Sequence, residues 1–172
     1  MKVLAIDPGY GRCGVAIVEK NPSTSFDKAQ DKPLGAGGRE VLLYSDCIET
    51  SAKVDFPERL ATIIDACTQL MQKHAPDCVA LEKLYFAKNQ KTAMRVAEVR
   101  GALISAASNA GLKVFEYSPG EVKSAAAGFG GADKKAVARM LHALVRIEKE
   151  IRHDDEYDAI AIAVTHLART RI

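Results

Sequence analysis

With 172 residues, 48% hydrophobic and 27% charged, the chain has the size and composition of one globular domain, and a disordered or collagen-like polymer is excluded. No apolar run approaches the roughly 18 residues of a membrane-spanning helix, so no membrane partner is expected. The formal net charge is +2, yet residues 83–139 hold ten Lys/Arg against four Asp/Glu, a basic middle that suits a polyanion on one face while carboxylates gather elsewhere.

Lys2–Asp7 (KVLAID) predicts a strand ending in an acid, and Pro8-Gly9-Tyr10-Gly11-Arg12 supplies turn chemistry. Cys13–Glu19 (CGVAIVE) is the returning strand, so the two predict an antiparallel hairpin. Residues 21–38 are rich in Pro, Ser, Gly and charge, which predicts a flexible insertion. It is not a domain boundary, because strand-like sequence resumes at once in Glu40–Ile48. Pro57–His74 carries apolar residues at helical spacing, with Pro57 in the first turn. Cys78–Glu82 (CVALE) reads as a buried strand, Lys88–Ala110 as a long helix ended by Gly111, and Val114–Tyr117 as the fifth strand. A short helix follows Pro119, then a loop over 128–133, a helix from Lys134 to about Ile147, and a last helix from Asp155 to about Ala168. The order predicts an α/β fold: a mixed five-stranded sheet, three antiparallel strands then two parallel ones, flanked by helices. The whole chain, 1–172, is expected to be a single domain.

The four cysteines, Cys13, Cys47, Cys67 and Cys78, form no C-x-x-C pair. Together with an N-terminus too short for a signal-peptide core, they point to reduced, buried thiols and a cytoplasmic location. Gly9-Tyr10-Gly11-Arg12-Cys13-Gly14 fits G-x-G-x-x-G, but a dinucleotide site needs a helix next, and Val15–Val18 is strand-like. The four histidines are scattered, and His166 reads as structural.

Asp7 and Glu82 end two apolar strands, and Asp155 and Asp158 lie three apart at the start of an apolar helix. Each has a bland explanation: a turn cap for Asp7, a half-exposed strand end for Glu82, helix capping and the helix dipole for the last two. Jointly these explanations weaken, because two strand ends and one helix start can meet at one edge of a sheet. Four unpaired carboxylates there would repel one another. A pair of Mg²⁺ ions, which prefer oxygen ligands, would relieve that and would suit a phosphodiester displacement.

Asp7-Pro8-Gly9 after an apolar strand, Gly14-Val15-Ala16 in the next, ALEKLYFAKN (80–89), VFEYSPGEVKSAAAGFGGADKKAV (114–137) and DEYDAIAIAVTH (155–166) together resemble the RuvC Holliday-junction resolvases over nearly the whole chain. The resemblance implies a ribonuclease-H-like fold, a homodimer, and Mg²⁺-dependent resolution of four-way DNA junctions by two symmetric nicks, with Mn²⁺ an acceptable substitute. It places the family's catalytic, metal-holding acids on Asp7, Glu82, Asp155 and Asp158, and DNA-contacting lysines on Lys123 and Lys134. It also puts an aromatic pair at the junction centre on Tyr85 and Phe86. The basic residues Lys88 and Lys91 that follow are expected to contact DNA, and the resemblance implies branch-migration helicase proteins as partners. The resemblance, through the family's spacing of three to the last Asp, selects Asp155 over its neighbour Asp154, which is then expected to be the helix N-cap. The 21–38 insertion departs from the family pattern. Two alternatives stay open, a related nuclease acting on RNA or RNA–DNA hybrids and a catalytically idle junction-binding module. The long helix has an apolar stripe, Val96, Val99, Leu103, Ala106 and Ala110, that is the candidate dimer interface, unless it packs on the sheet.

Overall fold

Alternation along the first strand sets the architecture. In β1 (Lys2–Asp7), Val3 and Ala5 belong to one buried cluster and Leu4 and Ile6 to another, so both faces of this strand are covered, as a central strand requires. The structure is a computed structural model that describes residues 1–20, 40–84, 90–127 and 133–170. The expectations for the 21–38 insertion, for Tyr85, Phe86 and Lys88, for the side chain of Lys91 and for most of the 128–133 loop lie outside those residues.

β1 forms the predicted hairpin with β2 (Arg12–Lys20), and β2 pairs antiparallel with β3 (Glu40–Glu49). After α1 (Phe56–His74), β4 (Cys78–Glu82) returns parallel to β1. α2 (Gln90–Asn109) then leads to β5 (Lys113–Tyr117), parallel to β4. α3 (Pro119–Ala127) and α4 (Lys134–Leu144) follow, and α5 (Asp154–Arg169) is the last described element.

One strand is added to the expectation. α4 stops at Leu144 instead of continuing to Ile147, and β6 (Val145–Arg146) pairs parallel with Glu40 and Val41. The sheet is therefore six-stranded, ordered β5-β4-β1-β2-β3-β6. Two residues cannot display an alternation, so nothing local announced β6.

α1 and α2 cover one face, contributing Ile63, Cys67, Leu70, Met71, Val99, Leu103 and Ala107 against Leu4, Ile6, Val15 and Ile17. α3, α4 and α5 cover the other, against Val3, Ala5, Ala16 and Val18. Val99 and Leu103 are fully buried within this chain, so the centre of the stripe expected to form a dimer contact is core. All four cysteines are free and buried.

α5 is enclosed almost all round: every residue from Ala159 to Leu167 is buried. His166, near its far end, contacts the Tyr117 hydroxyl at 2.8 Å and the Cys78 sulfur at 3.2 Å. That polar knot holds α5 to β4 and β5, and burial pushes the His166 pKa down. The structural reading of this histidine stands.

Candidate active site

The alternation that buries Val3 and Ala5 under α5 continues to Asp7, and the one that buries Cys78 and Ala80 there continues to Glu82. Ile6 pairs with Leu81 in the parallel register, so the two acids leave the sheet side by side at the same edge and on the α5 face. Asp155 and Asp158 open α5 above them, three residues apart and hence on one helix face.

Gly14 explains how the helix comes close enough. It pairs with Asp7 across the hairpin, and a Cβ built on it would lie 2.0 Å from the Asp155 carbonyl oxygen. Only a residue without a side chain admits the first turn of α5 onto β2. The turn that follows Asp7 is equally tight, since a Cβ on Gly9 would fall 1.9 Å from the Arg12 carbonyl oxygen. Arg59 of α1 fastens this turn by donating to the Tyr10 carbonyl and the Thr50 hydroxyl, each at 2.9 Å.

The charges register the convergence. Asp7 has its pKa pushed up to about 7, first by burial and then by Glu82, Asp158 and Asp155, with Lys134 opposing. Glu82 is raised by burial and by Asp158, and Lys123 pulls it back. Asp158, although its side chain reaches solvent, is raised by desolvation and then by Asp155 and Asp154, while Lys134 and Lys123 lower it. The structure thus brings together Asp7, Glu82, Asp155, Asp158, Lys123 and Lys134. The first four form an all-oxygen, mutually repelling set, a donor chemistry that fits hard divalent cations.

Asp154 is not the helix cap. His153 occupies that position in extended conformation, and Asp154 is the first residue of α5, turned outward to Lys134 at 3.0 Å. A cavity of about 440 Å³ lies beside the acids between α3, α4 and α5, bordered by Glu82, Lys123, Lys134, Lys135, Tyr157 and Asp158. Asp133 caps α4 by accepting from Ala136 N at 2.7 Å, which fixes Lys134 at the helix start.

Two features escaped the sequence reading. Glu156, between the two site acids, is 2% exposed. Its carboxylate accepts from Ser45 Oγ at 2.6 Å, Lys149 Nζ at 2.7 Å and Arg152 N at 3.0 Å, and so ties the start of α5 to β3. The Lys149 and Ser45 contacts hold its carboxyl below the usual range against the opposing effect of burial. Arg12 sits at the rim, 3.6 Å from Asp155, 3.1 Å from Glu49 and 2.7 Å from His153 Nδ1. An acid in a helix's first turn and an Arg in a turn both read as ordinary in sequence, and only their partners mark them.

The model of the crossover junction endodeoxyribonuclease RuvC family matches residues 33–166. The RuvC crossover junction endodeoxyribonuclease of Moorella thermoacetica is 43% identical over 96% of this chain and 90% of its own length. That of Brevibacillus brevis is 39% identical over 96% and 91%. Among solved structures, T. thermophilus RuvC in complex with Holliday junction substrate superposes with a TM-score of 0.82 at 30% identity, covering 97% of this chain and 93% of that one. The yeast mitochondrial Holliday junction resolvase Ydc2, at 16% identity and a TM-score of 0.67, shares the fold.

Proposed function

This chain belongs to the RuvC family of crossover junction endodeoxyribonucleases, and from that premise we propose that it resolves four-way DNA junctions by paired nicks, in recombination and repair. The observation that carries the reading is the placement of Asp7 and Glu82 side by side at one sheet edge beneath Asp155 and Asp158 of α5, close enough that burial and the other three acids push Asp7 up to about 7. Such a group of acids is stable in its charged form only with cations among them.

Asp7, Glu82, Asp155 and Asp158 would hold two Mg²⁺ ions, with Mn²⁺ able to replace them. Bound there, the ions would supply an activated water and would neutralise charge on the displaced phosphodiester oxygen. The chain's own groups do the rest. Lys123 and Lys134 draw the phosphate toward the acids and oppose the charge that develops on it. Tyr85 and Phe86, with Lys88 and Lys91, follow Glu82 in sequence and are proposed to meet the splayed strands, the rings by stacking on bases. The two-fold symmetry of a four-way junction and the need for two nicks argue for a homodimer with paired sites. The whole chain, 1–172, works in this reading as one nuclease domain of the cytoplasm, with branch-migration helicase proteins as partners. Among the described residues, no helix is long and apolar enough to cross a membrane.

The test is incubation with a synthetic four-way junction, a matched duplex and an RNA–DNA hybrid, with and without Mg²⁺. Symmetric nicks on the junction alone, and only with the metal, are expected. Preferential cutting of the hybrid would favour the ribonuclease alternative, and tight binding without cutting would favour an idle binding module.

A further inference from the structure

β3 presents Ser45, Cys47 and Glu49 at alternate positions, and its register places Cys47 opposite Gly14 and Glu49 opposite Arg12. Ser45 is bonded to Glu156, and Cys47 is close enough to Asp155 for the carboxylate, after burial, to push its thiol pKa up, so this row of side chains runs along the start of α5. At its outer end stands His153. One ligand atom each from Cys47, Glu49 and His153 lies within 4.8 Å of the others. Thiolate, imidazole and carboxylate are together the donor set of zinc, which is distinct from the oxygen-only set of the acids next to it. The cluster already serves a cation: the Arg12 guanidinium lies against Glu49 and His153 Nδ1.

We infer that Cys47, Glu49 and His153 form a second, thiophilic metal site beside the four acids, selective for Zn²⁺ or Co²⁺ over Mg²⁺, and that the metal enters by displacing Arg12. Zinc bonds of about 2.0–2.3 Å set tetrahedral ligands roughly 3.3–3.8 Å apart. The three ligand atoms, already within 4.8 Å of one another, would have to close by about 1 Å to reach that spacing. Metal binding replaces the Cys47 S–H bond with an S–metal bond and releases the proton to solvent. Arg12 then withdraws from Asp155, its other partner, so occupancy of this site unfastens one of the four acids. The site is thus a port for inhibition by a soft metal. That inhibitory consequence rests on the nuclease reading above, whereas the binding itself does not.

Cobalt titrated into the reduced full-length protein tests the binding. A sulfur-to-cobalt charge-transfer band rising to one equivalent is expected, because the four acids offer no sulfur. Cys47→Ser should abolish the band and His153→Gln should weaken binding by roughly tenfold or more. Arg12→Gln should tighten it, since the competing cation is gone. Absence of the band in the wild type overturns the site. So does a band that survives in Cys47→Ser, which would belong to Cys78 beside His166, and so does weaker binding in Arg12→Gln. Added Zn²⁺ should slow junction cleavage at fixed Mg²⁺ in the wild type and much less in Cys47→Ser. Equal slowing in both, with the cobalt results as expected, would reject the inhibitory role and leave the metal site standing.

Discussion

Asp7 bears the largest electrostatic burden of the acids, and its behaviour with pH follows in sign. Its folded-state pKa of about 7 lies above the ordinary 3.8, so between those values the folded protein holds a proton that the unfolded chain has lost. The stability this protonation lends is complete below about pH 4 and disappears as the pH rises through 7. Metal-free Asp7→Asn should therefore melt higher than the wild type above pH 7, by an equivalent of about 1–3 kcal/mol, and the gain should vanish near pH 4. Melts at the two pH values check this, and a constant difference would contradict it. The same variant should lose cleavage and keep junction binding, since affinity comes mainly from phosphate contacts. A gel-shift assay beside a cleavage assay reads both. Glu156 behaves oppositely, because its charge is fully partnered. Glu156→Ala should lower stability by about 2–3 kcal/mol, the cost of losing charged hydrogen bonds, which a denaturant titration would measure.

At the scale of elements, the approach of α5 to β2 depends on Gly14. Gly14→Ala drives a methyl group into the Asp155 carbonyl and has nowhere to go but through backbone movement. We expect a stability loss of about 1–3 kcal/mol and a fall in cleavage that is disproportionate to it, measured on protein that is still fully folded. Which elements were legible follows the same logic. KVLAID and CVALE could be placed as central strands ending in acids because their neighbours are apolar on both faces, and two such ends can only meet at a sheet edge. Helical spacing put Asp158 on one face with Asp155 and Asp154 alike, and the choice of Asp155 came from the family resemblance. What escaped were features defined by partners distant in sequence: β6 against Glu40–Val41, Glu156 against Ser45, and His153 as the cap in place of Asp154. The α2 stripe left both readings open because Val99 and Leu103 have the spacing of an interface and of a core face alike, and here they belong to the core.

Over the whole molecule, the acids gather on one edge and Lys123, Lys134 and Lys135 border the cavity beside them. Binding to a junction should weaken steeply with salt, and Lys123→Ala with Lys134→Ala should flatten that dependence by about two units of log–log slope, read from affinities across a salt series. An unchanged slope would place the phosphate contacts elsewhere. Sedimentation should give a dimer, and a monomer that still nicks symmetrically would count against paired sites. The enclosure of α5 carries one more implication. This helix both seals the Val3–Ala5–Ala16–Val18 face of the sheet and brings two of the four acids. A chain still emerging from the ribosome, or one clipped before residue 154, thus lacks two of the four acids and leaves the Val3–Ala5–Ala16–Val18 face uncovered at once. If the four acids are the cutting centre, such fragments should be unable to nick DNA while exposing apolar surface, so the docking of α5 would complete the site and cover the core in one step.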